Sequence, residues 1–159
     1  KNDPILSLPS GVRYKVLQPG TGDDIIKMGS SIDLIFSIST AAGAYMYSKG
    51  FGYEKINDGF TGQTQSDAGL DSLRITVGDR NVPQGIEDAL IGMKRGERRR
   101  CEIPANVGFE TSNWKPEPTT RLGKAQIVGY RRILEGRGSS QPPFPAATVW
   151  DIEVLKIRN

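Results

Sequence analysis

From Ser31 to Thr40 apolar side chains occupy every second position, at Ile32, Leu34, Phe36 and Ile38, with Asp33, Ser37 and Ser39 between them. Successive side chains of a strand point to opposite faces, so this period of two predicts a strand with one wet side. The same alternation marks residues 11–17 through Val12, Tyr14 and Val16, and residues 72–78 through Leu73, Ile75 and Val77. It returns at residues 98–103, stopped by Pro104, and at residues 146–157, where Trp150, Ile152 and Val154 interleave with Asp151 and Glu153. The period changes once. In NVPQGIEDALIGMKRGE, Ile86, Ala89, Leu90 and Met93 recur at spacings of three and four, which predicts a short helix of about eight residues. Asn81 is the expected cap, Pro83 suits the first turn and Gly92 the end.

Between these elements the chain reads as turns and loops. Residues 1–10 are an extended lead-in, residues 18–23, 28–30 and 94–97 are turns, and residues 41–48 turn at Gly43 and run back as a short strand. Residues 49–71 carry many glycines and few aliphatics, a long loop of the kind that is often functional. Residues 110–145 form a proline-rich insert before the last strand, in which 125–134 could be a strand or a helical turn. The pattern implies an α+β domain spanning residues 1–159, a twisted antiparallel sheet wrapped on one short helix, which buries all the apolar faces at once.

Composition narrows the chemistry. The 159 residues include no His and one Cys. That excludes Ser-His-Asp and Cys-His nucleophilic sites, His-ligated metals, an internal disulfide and thiolate zinc clusters, so neither metal nor cofactor is expected. A net charge of +3 is too small to mark a nucleic-acid binder. No apolar run reaches the roughly 18 residues of a membrane span. Residues 1–4 show no apolar signal-peptide core, and without an initiator Met the chain reads as processed or part of a longer product. The positive charge is concentrated in the insert. Lys115, Arg121, Lys124, Arg131, Arg132 and Arg137 face only Glu110, Glu117 and Glu135, an excess equal to that of the whole chain.

The strand ITVGD followed by NVPQGIEDALIGMKRGERRRCEIPANVGF resembles the FKBP-type peptidyl-prolyl isomerases. AATVWDIEVLKI is similar to the last strand of that family, SSIDLIFSIST and GAYMYS to its central strand and the one after, and GVRYKVLQPGTGDD to its opening hairpin. The resemblance covers most of the chain outside 49–71 and 110–145. It implies a half-open antiparallel sheet curled around the helix, with an apolar bowl that takes up a proline ring. Isomerisation needs no nucleophile, because the barrier of ~18–20 kcal/mol lies in the C–N double-bond character. A dry site favours the twisted amide, and a few donors hold it.

Carried over residue by residue, the family's pocket falls on Phe36, Met46, Leu73, Val82, Pro83, Ile86 and Trp150, and its two polar positions on Tyr47 and Phe109. The apolar character survives and the polar groups do not. Tyr47 stands where the family has an Asp, Phe109 where it has a Tyr, and Ile86 where it has the Trp floor. Pro83 lacks the backbone N–H that in the family grips the substrate. At about 0.5–1.5 kcal/mol per hydrogen bond, the loss of two or three predicts a rate roughly ten- to a thousand-fold lower.

Other features have ordinary readings. Arg98 and Arg100 form a solvated face with Glu102, and Cys101 with Ile103 points inward and is inert. The insert carries Trp114, Arg121, Tyr130, Arg131, Arg132 and Phe144, a mixture of aromatic and basic side chains suited to docking. Two functions follow: an FKBP-fold interaction module with a decayed site, or a slow general prolyl isomerase acting on Xaa-Pro peptides. Divergent members with long inserts are similar to those of chloroplasts, particularly the thylakoid lumen, which would make a protein complex of the photosynthetic membrane the partner.

Overall fold

The computed structural model describes residues 4–57, 60–108, 115–118, 120–134 and 147–159. In chain order the elements are β1 (Leu6–Ser7), β2 (Arg13–Gln18), β3 (Thr21–Ile25), β4 (Ser31–Thr40), β5 (Tyr45–Lys49), β6 (Lys55–Asn57), β7 (Thr64–Ser66) and β8 (Leu73–Thr76). They continue as α1 (Gln84–Leu90), β9 (Lys94–Arg95), β10 (Arg98–Ile103), a 3-10 turn at Ala105–Val107, α2 (Arg121–Leu134) and β11 (Thr148–Arg158).

Among the described residues, seven strands form one antiparallel sheet in the order β1-β2-β10-β11-β4, with β5 and β8 sharing the far side of β4. The centre is the β4–β11 seam. Leu34 lies opposite Val154, Phe36 opposite Ile152 and Ile38 opposite Trp150, all buried. Burying each such side chain is worth about 1.5–3 kcal/mol, so this face dominates the core. Helix α1 lays Ile86, Ala89 and Leu90 into the same cluster.

Strand β4 is divided along its length. Its first half pairs with β8 from Ser31 to Leu34, and its second half with β5 from Phe36 to Ser39. The chain leaves the β4 edge at Gly50, which has φ +83° and where an added Cβ would lie 2.6 Å from the Asp71 carbonyl. Only glycine fits that crossing. The buried Asp67 carboxylate accepts the N–H groups of Gly50 at 2.7 Å and Gly52 at 2.8 Å, which pins the departing loop.

Several expectations change. Helix α1 begins after Pro83, not at an Asn81 cap: the Pro83 carbonyl accepts from Ile86 at 2.9 Å and Glu87 at 3.2 Å, while Asn81 Oδ1 accepts from Thr76 N–H at 3.1 Å. Pro83 as the cap residue has no N–H of its own to satisfy, and no side chain caps the helix. The turns at 18–23 and 94–97 contribute to a small β3–β9 pair, and the 49–71 loop contains the β6–β7 hairpin. Both are too short for a periodic signal. The undecided stretch within 125–134 belongs to a second helix, α2. Thr120 caps it, its hydroxyl accepting Gly123 N–H at 3.1 Å.

The outer sheet face is laced by ion pairs, Arg98–Glu153 at 2.6 Å, Arg100–Asp151 at 2.9 Å and Arg13–Glu102 at 2.5 Å. Strand alternation turns Arg99 inward with Cys101. It is buried, bonded to Glu97 at 2.5 Å and the Ala89 carbonyl at 3.0 Å, and its guanidinium lies 4.3 Å from the Tyr14 ring centre. Asp33 clasps β4 to β11 and β8 through Arg158 at 2.8 Å and Arg74 at 2.9 Å. Hydrogen bonds from Arg158, then Arg74, hold its carboxyl well below the ordinary 3.8. Its contribution to stability is therefore complete above that unfolded value and is lost as pH falls toward the depressed folded one. Asp33→Asn is expected to lower the urea midpoint at about pH 6, with the gap from the parent closing toward about pH 2. A gap that does not vary with pH would show that this ion pair contributes nothing.

Candidate functional site

The apolar residues singled out in the sequence fall mostly in one place. Phe36 lies at its centre, with the Tyr47 ring edge-on at 6.0 Å and the Trp150 ring tilted at 5.5 Å. Aromatic pairs favour such offset arrangements, which leave the negative face of one ring against the positive edge of another. Tyr47 reaches it through a bulge in β5. Ile38 pairs with Tyr47 and Ser39 with Tyr45, so Met46 is the extra residue, and both Met46 and Tyr47 are buried. Val82 and Ile86 are buried in the same hydrophobic core, and Leu73 packs against that core. Trp150 Nε1 donates to Thr148 Oγ1 at 2.9 Å, a bond along its own strand.

This cluster is closed. Phe36, Met46, Tyr47, Val82, Ile86 and Trp150 each keep no more than 2% of their surface exposed. Over Tyr47 the cover comes from part of the insert. In residues 115–118 the charged Lys115 and Glu117 are exposed while Pro116 and Pro118 are buried. The Tyr47 hydroxyl donates to the Pro116 carbonyl. Helix α2 follows with Gly123 against Tyr47: a Cβ there would lie 2.9 Å from Tyr47 Cβ and 2.8 Å from Pro118 Cβ. One turn on, Ile127 is also buried.

A bowl open to a proline ring was expected; the described structure has a filled site roofed by its own chain. The covering residues Pro116, Pro118, Gly123 and Ile127 were missed. The alternation of charge and proline in KPEP, and the buried i, i+4 pair Gly123 and Ile127, are the only sequence signals of them. Pro83 is the residue that precedes the first turn of α1. Arg121 is exposed at the first position of α2, and Tyr130, Arg131 and Arg132 lie in the same helix. Phe109, Trp114 and Phe144 lie outside the described residues.

The electrostatics are those of a dry site. Burial raises the Tyr47 phenol above its ordinary range, with a smaller contribution from Glu117, so it stays a neutral donor. Cys101, opposite Trp150 in the β10–β11 ladder, has its thiol pushed up to about 12, chiefly by burial. Neither group is an acid or base near neutral pH. No helix among the described residues is long and apolar enough to cross a membrane.

The site is thus a buried aromatic cluster set beside a sheet split at its central strand and a short helix. The family profile described as FKBP-type peptidyl-prolyl cis-trans isomerase matches residues 55–155, and the chain belongs to that family. Among curated relatives, peptidyl-prolyl cis-trans isomerase FKBP16-1, chloroplastic, of Arabidopsis thaliana is 30% identical over 152 residues, covering 96% of this chain and 60% of that protein. Peptidyl-prolyl cis-trans isomerase FKBP19, chloroplastic, of the same plant is 28% identical over 151 residues, covering 93% of this chain and 54% of the relative. The chain thus spans little more than half the length of these relatives. Among solved structures, FkpA from Escherichia coli has TM-score 0.59 at 14% identity, covering 99% of this chain and 53% of that one. The three-domain structure of wheat FKBP73 has TM-score 0.59 at 13% identity, covering 98% and 49%. These structural likenesses establish the fold.

The burial of Cys101 has a direct consequence. A disulfide reagent at about pH 8 is expected to leave the folded chain unmodified and to label one thiol per chain on unfolding, because only the thiolate reacts. Labelling of the folded chain at the rate of a free thiol would show that the β10–β11 layer is open to solvent.

Proposed function

We propose that this chain is an FKBP-fold interaction and assembly module whose prolyl isomerase site has decayed. The observation that carries this reading is Tyr47. At the position where the family resemblance implies a carboxylate there is a neutral phenol, and its hydroxyl is already committed to the Pro116 carbonyl. The aromatic cluster around it is buried, Phe36 offers no hydroxyl, and Pro83 has no N–H to give a substrate carbonyl. What remains is apolar shape without donors, and shape alone binds ground state and transition state alike.

The exposed face of the insert supports docking. Lys115, Arg121 and Lys124 are all exposed on its outer side, and the insert holds the chain's whole excess of positive charge. The partner we infer is a protein complex with an acidic surface. The chloroplastic names of the relatives support a plastid location, and we assign the thylakoid lumen and its membrane complexes as the finer form of that reading. A slow general isomerase is the second reading, favoured by the apolar residues that persist at Phe36, Met46, Val82 and Trp150.

Exchange NMR on a Xaa-Pro tetrapeptide separates the two. With the chain at stoichiometric concentration, the isomerisation rate is expected within about twofold of buffer, since no new donor lowers a barrier of ~18–20 kcal/mol. An acceleration of about tenfold or more, corresponding to roughly 1.4 kcal/mol of transition-state binding, restores the isomerase reading.

A further inference from the structure

The geometry points to residues 115–118 and the start of α2 as a releasable intramolecular ligand: they pack on Tyr47 at the edge of the aromatic cluster, and a proline-containing peptide of the same Pro-x-Pro pattern binds there when they lift. The inference rests on the decayed-site reading above and adds to it what covers the site and what displaces the cover.

The segment is seated as a ligand would be. Its two prolines point in and its two charges point out, and its first buried carbonyl receives the Tyr47 hydroxyl. Buried proline rings alternating with exposed charges place the apolar part of the segment on the cluster and its charge in water. Tyr47 therefore supplies to this segment the donor that a bound peptide would otherwise need.

The seat is also lightly held. In α2, from Arg121 to Gly129, the buried residues are Gly123 and Ile127, while Leu122 and Val128 are more than half exposed. Two glycines inside the helix lower its intrinsic stability. The β4–β11 seam beneath has every inward residue buried. Elements with few buried apolar contacts open well before the whole domain unfolds. Lifting the cover bares Tyr47, with the Phe36 and Trp150 rings next to it, and leaves a phenol donor without an acceptor. A Pro-x-Pro peptide restores both the burial and the hydrogen bond.

Gly123 allows the cover to be opened without substituting any residue of the cluster. Gly123→Ala strengthens the helix but places a methyl against Tyr47 Cβ and Pro118 Cβ, neither of which can swing aside. Gly129→Ala strengthens the same helix, and its methyl would meet nothing within 4 Å. The test measures amide hydrogen exchange and binding of a synthetic peptide carrying Lys-Pro-Glu-Pro in the full chain and both variants. Gly123→Ala is expected to speed exchange in residues 115–129 by about tenfold and to tighten peptide binding by a similar factor, because the peptide's apparent affinity scales with the open fraction. Exchange in β4 and β11 stays at the parent rate, and Gly129→Ala matches the parent in binding.

Unchanged exchange in Gly123→Ala, faster exchange spread equally through β4 and β11, or an opened cover that does not bind the peptide each overturns the inference. The third outcome leaves the decayed-site reading standing. If the opened variant binds the peptide and also isomerises a Xaa-Pro bond at least about tenfold faster than buffer, the releasable cover holds and the decayed-site reading fails.

Discussion

A phenol taken out of water must find an acceptor, and the placement of the insert follows from that requirement at Tyr47. Leaving a buried hydroxyl unpaired costs about 1–3 kcal/mol. The neighbouring side chains Phe36, Met46 and Ile38 are apolar and offer Tyr47 no acceptor. The Pro116 carbonyl supplies it from the insert. A proline serves well there: its ring fills apolar space, its carbonyl remains a full acceptor, and it has no N–H that would need a partner of its own. One hydrogen bond thus joins the most buried part of the domain to the segment with the most unusual composition.

On the decayed-site reading proposed above, the same bond makes this a place for contact and not for catalysis. Catalysis would need groups whose interaction grows as an amide twists. Here the donor is spent, the phenol is held neutral by burial, and the rings of Phe36, Tyr47 and Trp150 are packed against one another. Such a surface offers area and shape. The exposed charges of Lys115, Arg121 and Lys124 lie on the outer side of the segment that packs on Tyr47.

The scaffold beneath is arranged to keep that surface still. The β4–β11 register places Phe36 and Trp150 on one face, and the bulge at Met46 brings Tyr47 alongside. Asp67 and Gly50 hold the loop that would otherwise cross the split in β4. Glu87 performs the matching task at α1, accepting N–H groups of Gly78 at 2.7 Å and Arg80 at 3.1 Å. In each case a buried carboxylate satisfies backbone donors that a change of direction leaves unpaired.

Strands β2, β4, β8, β10 and β11 and helix α1 were legible in the sequence, because burying one face of a strand or helix writes a period of two or 3.6 into the order of the residues. The aromatic cluster was legible too, although only as positions in a family pattern: Phe36, Met46, Ile86 and Trp150 could be named, and their closure could not. Short pairs such as β3–β9 and β6–β7 have too few residues to carry a period. The second helix was obscured because two glycines and a mostly exposed surface leave α2 with a thin apolar stripe. What tertiary structure alone decided is that Pro116 and Gly123 come to lie against Tyr47. A hydrogen bond between Tyr47 and Pro116, 69 positions apart, leaves no trace in the spacing of either residue, because chain order records which face a residue prefers and not which distant atom will meet it there.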